Sequence, residues 1–148
     1  MKLILKHFSE LTPSELYKII QARIAVFVVE QECAYQELDG KDLDAWHLWY
    51  EDEEGVSAYV RLLDKGVSYP DACSIGRVIT VKRGTGLGLK IMLEAVKLVR
   101  EKYGCKRIRI GAQRYAKGFY EKAGFIQSGG EYLEDGIIHI EMTNEGDE

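Results

Sequence analysis

Apolar positions along the chain change their period several times, and each change marks an element. The run LILKHF (residues 3–8) has the length and branching of a first strand. Thr12-Pro13-Ser14-Glu15 then reads as an N-cap, a proline at the first helical position and the acid of a capping box. Leu16, Ile19, Ile20, Arg23 and Phe27 follow at three- and four-residue steps, the spacing of an amphipathic helix. WHLWYEDEEGVSAYVRLL alternates and breaks at Asp52 to Gly55, which predicts a hairpin of strands at 46–51 and 56–63. CSIGRVITV (73–81) lacks regular polar alternation and suits a central strand buried on both faces. Leu89, Met92, Leu93, Val96 and Val99 then repeat with helical spacing as far as Tyr103-Gly104. RIRIGA (107–112) reads as a strand, RYAKGFYEKAG (114–124) as a helix closed by Gly124, and YLEDGIIHIEM (132–142) as a hairpin about Asp135-Gly136. The polar tail NEGDE is expected to fray.

The resulting order, β-α-β-β-β-α-β-α-β-β, is neither a βαβ alternation nor all-β. It predicts an α+β (mixed α/β) fold, a mixed sheet with helices on its faces. At 148 residues the chain is one domain, 1–148, large enough to bury a real core.

Composition removes several function classes. Nearly half the residues are apolar and under a third are charged, which excludes disordered and collagen-like chains. There is no apolar run of about 18 residues, and the opening MKLILKHFSE turns polar too soon for a signal peptide, so a cytoplasmic protein without membrane contact is expected. A net charge of −4 argues against nucleic acid and suits a cationic partner. Cys33, Cys73 and Cys105 are odd in number and lack C-x-x-C spacing, so buried free thiols are expected. His7, His47 and His139 are scattered, so no metal site is expected.

The chemistry concentrates in VKRGTGLGLKIM (81–92), where three glycines alternate behind a basic pair. Such glycines let a backbone approach an anion closely. No G-x-x-x-x-G-K-[ST] window exists, which disfavours NTP hydrolysis. Gly84-x-Gly86-x-Gly88 also closes one residue early for the dinucleotide fingerprint, and the strand after it runs RIRIGAQ without the terminal acid, which disfavours NAD. What remains is a strand, an arginine, a glycine turn and a helix whose positive end faces an anion. A tight strand-to-helix connection without a ligand is the plainer reading of the turn.

The flanking residues add to this. RGTGLG after a strand resembles the R-G-x-G-x-G loop of the GCN5-related N-acetyltransferase (GNAT) superfamily, and AQRYAKGFYEKAGF (112–125) resembles that family's A-x-x-F-Y-x-x-x-G-F segment through Ala116, Phe119, Tyr120, Gly124 and Phe125. The resemblance runs toward the ElaA-type branch through AVFVVEQECAYQELDGKDLD, IGRVITV and YLEDGIIHIEM, from about residue 10 to 142. One departure is that only Lys82 separates Val81 from Arg83, where the family usually has a few more residues.

The resemblance implies a twisted, mostly antiparallel sheet splayed around an acyl-CoA site, with acetyl-CoA as co-substrate. It places the cofactor on Ile79, Thr80, Val81, Arg83, Gly84, Thr85, Gly86, Leu87, Gly88, Ala116, Phe119 and Tyr120. Ile79 and Val81 would offer backbone groups to the pantetheine arm and thioester. Tyr120 would protonate the leaving thiolate, with an aromatic packed under the helix as the alternative. For the base the candidates are Glu30, Asp39, His47 and His139, since strand 73–81 contains no acid. Six acids between Glu30 and Asp44 against Lys41 alone suggest either a solvated loop or an acidic rim for a cationic amine. Arg77, on the strand face shared with Ile79 and Val81, would hold an acceptor carboxylate or an internal salt bridge. The implied partner is a small-molecule or peptide amine, and exposed final strands allow a homodimer. The reaction expected is N-acetyl transfer by direct attack. A catalytically inactive acyl-CoA-binding module and a nucleotide-binding regulatory domain are the alternatives.

Overall fold

A computed structural model describes residues 1–146. β1 (Lys2–His7), β2 (Trp46–Asp52), β3 (Gly55–Leu63) and β4 (Ser74–Thr80) form one antiparallel sheet in that order. β5 (Ile108–Gln113), β7 (Ile137–Asn144) and β6 (Ile126–Glu134) form a second, with β7 in the middle. The sheets meet at a single parallel bridge between Cys73 and Ile108, where Cys73 N–H donates to Arg107 O (3.2 Å) and Arg109 N–H donates to Cys73 O (2.9 Å). Beyond that point β4 and β5 share no ladder, and a cleft opens between them.

α1 (Pro13–Ile24) starts as its sequence predicts, with the Thr12/Glu15 capping box in place. It stops short of Phe27: the β-branched stretch Ala25–Glu30 widens into a π-helical turn, with Gln31 N–H reaching back to Val26 O. α2 (Leu87–Tyr103) ends on the left-handed Gly104. The expected helix at 114–124 divides into a 3-10 turn, Arg114–Ala116, and α3 (Lys117–Lys122).

Apolar residues on both faces of the first sheet build two cores. Leu48, Tyr50, Ala58, Val60, Leu62 and Ile75 meet Ile91, Met92, Ala95 and Val99 of α2, whereas Trp49, Tyr59 and Ile79 meet Ile19 of α1. Ile75 and Ile79 are four apart on one strand and would share a face if the strand were regular. An extra residue at the Tyr59/Arg61 register shift, where Arg77 has φ +51°, turns the strand over. β4 is thus the edge of its sheet and bulged, not a regular central strand.

Three further expectations are corrected. Cys73 and Cys105 form a disulfide that spans the seam between the sheets, so only Cys33 is a free thiol. Spacing could not reveal it, because the pair is brought within 6.3 Å (Cα–Cα) by the sheet junction. β6 begins at Ile126, six residues before the predicted hairpin, because a bulge between Gln127 and Glu131 accommodates the polar Gly129-Gly130 stretch. Of the tail NEGDE, Asn144 belongs to β7 and accepts from Arg100 (2.7 Å), and Glu145 pairs with Arg107. Residues 147–148 lie outside the described part of the chain.

Candidate active site

The cleft between β4 and β5 is continuous with a cavity of about 1250 Å³. Single small-molecule sites run to roughly 300–1,000 Å³, so there is room for two reactants. One end is lined by Ile79, Thr80, Arg83, Ala116, Phe119 and Tyr120, and the other by Tyr35, Arg61, Tyr69, Tyr132, Glu134 and His139. The segment after α1 roofs it through a Gln31–Gln113 amide pair and a Cys33 Sγ contact to Asp135 O (3.3 Å).

The β4 edge facing this space is defined by register. Val81 N–H donates to Ser57 O (2.8 Å), so Ile79 and Val81 spend their backbone groups on β3. By the alternation of an antiparallel ladder it is Val78 and Thr80 whose N–H and C=O groups point into the cleft. This register is opposite to the one expected for the backbone groups of Ile79 and Val81.

Beyond the strand, the glycine turn is shaped for close approach. Gly84 and Gly86 have φ of +77° and +78°, a region side-chain-bearing residues rarely adopt. Gly86 is the N-cap of α2 and supplies no side-chain cap; Leu87 N–H donates to Thr85 Oγ1 (3.4 Å), which leaves the N–H groups of Gly88 and Leu89 at the head of a 17-residue helix. Thr85 Oγ1 fastens the turn by donating to Lys82 O (2.8 Å). A Cβ on Gly88 would lie 2.8 Å from Thr80 Oγ1 and 3.4 Å from Phe119, so helix, strand and α3 meet there without spare volume. These features fit an anionic pyrophosphate. The short link from Val81 to Arg83 is absorbed because Lys82 N–H also reaches Ser57 O (3.3 Å), carrying the ladder directly into the turn.

Residues 13–145 match the family model described as an acetyltransferase (GNAT) domain. The chain belongs to the GNAT acetyltransferase family. Protein ElaA of Escherichia coli is 41% identical over 145 residues, covering 94% of this chain and 93% of ElaA. The ElaA crystal structure superposes with a TM-score of 0.89 at 37% identity, covering 98% of this chain and 100% of the other. An acyl-CoA N-acyltransferase from Pseudomonas aeruginosa superposes with a TM-score of 0.89 at 38% identity, covering 97% and 99%. Membership establishes the mixed α+β fold and an acyl-CoA-dependent acyltransferase as the class of the protein.

Within this GNAT cleft the candidate residues separate. Tyr120 lies in an aromatic group with Phe119 and Phe125 (centroids 5.0 and 6.2 Å), and burial, with Tyr115 nearby, raises its pKa so that the phenol stays protonated. Arg83 lines the cofactor end and pairs with Glu30 across the mouth. Asp39 is held by Arg61 (2.9 Å) and Arg77 (3.3 Å). Burial alone would raise its pKa, but Arg61, the Lys41 N–H and Arg77 outweigh it and hold it at about 2. His47 is not brought to the cleft: it is fully buried between Tyr59 Oη (2.6 Å) and Asp42 O (3.0 Å), and burial lowers its pKa. His139 does line the cleft, and its Nδ1–H donates to Ile137 O (2.8 Å).

The acids after α1 are largely not a rim. Glu37 and Asp42 turn inward onto the fully buried Arg23 (2.5 and 2.7 Å), and Asp39 and Asp42 share Arg61. Arg77 completes this network by donating to Glu37 O (2.8 Å), so it serves the internal salt bridge. Sequence reading missed Tyr69 and Tyr132 as cleft residues. The signal was Gly111 within a strand, where a Cβ would lie 2.2 Å from Tyr132 Oη and 3.8 Å from Tyr69 Oη.

Proposed function

We propose that the protein transfers an acetyl group from acetyl-CoA to a primary amine by direct attack. The observation that carries this is the free β4 edge, with Val78 and Thr80 backbone groups turned into a cleft that Tyr120 also lines. An extended pantetheine arm can pair with that edge as an added strand, and a backbone N–H there can polarise the thioester carbonyl. The turn Arg83–Gly88 holds the pyrophosphate, and Ala116 and Phe119 flank the arm. Tyr120 gives its proton to the departing thiolate. A phenol can do so because its ordinary pKa, about 10, keeps it protonated at neutral pH and lies close enough to a thiol's, about 8.5, for the transfer to be only mildly uphill. For the base, Glu30 and Asp39 are engaged by arginines and His47 lies outside the cleft, which leaves His139, whose Nε2 makes no hydrogen bond to the described residues.

The test is thiol release from acetyl-CoA over a panel of amines, with the protein's own thiols subtracted. Tyr120→Phe should lower kcat about 100-fold or more while changing acetyl-CoA affinity less than about twofold. Unchanged turnover in that variant would remove Tyr120 from the mechanism. Arg83→Ala should weaken acetyl-CoA about tenfold by losing a charge-assisted contact, whereas Glu30→Gln should tighten it by freeing the guanidinium. Equal affinities in all three proteins, measured by calorimetry, would place the pyrophosphate elsewhere.

A further inference from the structure

The acceptor end of the cavity carries a feature that its ion-pair network does not explain. Of the four acids that line the cavity, Asp39 has Arg61 and Arg77 and Glu30 has Arg83, whereas Glu134 and its neighbour Asp135 have no arginine or lysine partner among the described residues. Glu134 ends β6. Its nearest ionisable partner is His139 Nε2, 3.4 Å from Oε2.

That contact is unbalanced. His139 is 8% exposed, and its Nδ1–H is committed to the Ile137 carbonyl. In the neutral ring Nε2 is therefore a lone-pair acceptor. It faces a carboxylate, which is also an acceptor. Two acceptors at this distance call for a shared N–H, carried either by Nε2 itself in the imidazolium or by a cationic group that enters the corner.

The third wall is Tyr132, whose ring stacks on His139 (centroids 5.7 Å, 29°) and whose hydroxyl rests on Gly111 next to that of Tyr69. Neither hydroxyl makes a hydrogen bond to the described residues, so both keep lone pairs for a ligand. Burial, assisted by the charges of Glu134 and Glu141, raises both phenols above their ordinary pKa, Tyr132 to about 12, so both stay neutral acceptors.

We propose that the corner formed by Glu134, His139 and Tyr132 receives the acceptor's ammonium group, so that the substrates are strongly basic primary alkylamines captured as cations. The inference rests on the acetyltransferase reading above and specifies its acceptor. The ammonium has three N–H donors, matching Glu134, Nε2 of His139 and the Tyr132 hydroxyl. Its proton passes to Nε2. The freed nitrogen forms a C–N bond to the thioester carbon as the C–S bond breaks, and the thiolate takes the Tyr120 proton. Glu134 is a positioning residue, since it holds the cation and takes no proton.

The experiment compares butylamine, a cation at neutral pH, with O-propylhydroxylamine, an isosteric amine uncharged there. Both are assayed with acetyl-CoA in the wild type, Glu134→Gln and Gly111→Ala, while ring signals of His139 and Tyr132 are followed by NMR as each amine is added. Glu134 is 60% exposed in its side chain, so the glutamine variant keeps the fold. A methyl on Gly111 displaces the Tyr132 hydroxyl from the same corner. Both variants should raise KM for butylamine about tenfold, the scale of one charge-assisted hydrogen bond, and leave O-propylhydroxylamine within about twofold. Ring signals should shift with butylamine in the wild type and not in Glu134→Gln. Equal KM changes for the two amines overturn the corner and leave the transferase reading intact. Glutamate-dependent ring shifts without turnover of any amine keep the corner and overturn the transferase reading. Turnover or its absence, with no ring shift, overturns the corner.

Discussion

Arg23→Ala is expected to cost about 3–5 kcal/mol of folding stability, the scale for removing one partner of a buried ion pair. Arg23 is fully buried, with its Nε and Nη2 on Glu37 and its Nη1 on Asp42, and it stands beneath the Tyr59 ring system. Truncation takes the main partner from two carboxylates that have almost no access to water, leaving Asp42 to Arg61 and Glu37 to a long contact with Arg77. Arg23→Lys should recover only part of the loss, because an ammonium cannot present two parallel pairs of donors. Urea unfolding followed by circular dichroism reads both variants, and an Arg23→Ala protein within about 1 kcal/mol of wild type would refute the network's structural role. The same network sets the acid limit. Asp39 has its folded pKa held at about 2, below its ordinary 3.8, and Asp42 is also lowered. Their contribution is therefore fully present above about pH 4 and is lost as pH falls toward 2.

Opening the Cys73–Cys105 bridge is the second large effect. It closes a 32-residue loop, for which chain entropy gives about 3–4 kcal/mol. Dithiothreitol should lower the melting temperature of the wild type by roughly 10 °C. Cys105→Ser should melt near the reduced value and ignore the reductant. If three thiols react with a thiol reagent in the unreduced, unfolded protein, the bridge does not exist in solution. Both sulfurs sit where β4 first touches β5, so its loss should also loosen the apex from which the cleft diverges.

Much of the architecture was legible because it depends on local periods. Thr12 to Glu15 names its own helix start, and the alternation of residues 46–63 gives a hairpin displaced by one residue at most. The glycine turn and the Phe119-Tyr120 segment were legible because their spacing is itself the geometry. What escaped depends on distant residues. Nothing in IGRVITV distinguishes a bulged edge strand from a regular central one, since Arg77 becomes unusual only when paired against Val60. The acids from Glu37 to Asp42 read as a solvated loop or an acidic rim until Arg23, Arg61 and Arg77 arrive from three other elements. His47 and His139 are indistinguishable as letters, but one is the second residue of β2, against the buried Tyr59, and the other is the third residue of β7, just past a hairpin turn.

The bulge at Arg77 makes the stretch from Val78 to the glycine turn behave as a ruler marked in twos. From Val78 to Val81, residues an even number of steps from Val78 direct their amides to the cleft and odd ones direct them to β3, until Lys82 N–H also turns to Ser57 O and ends the alternation. A single-residue insertion or deletion after Arg77 would exchange the two sets, turning Thr80 toward its neighbour strand and Ile79 out of its contact with Trp49 and Tyr59. Length changes here are tolerable only in pairs. Drift in the length of this segment should thus move the mouth of the cleft by whole dipeptide steps, leaving its lining in phase.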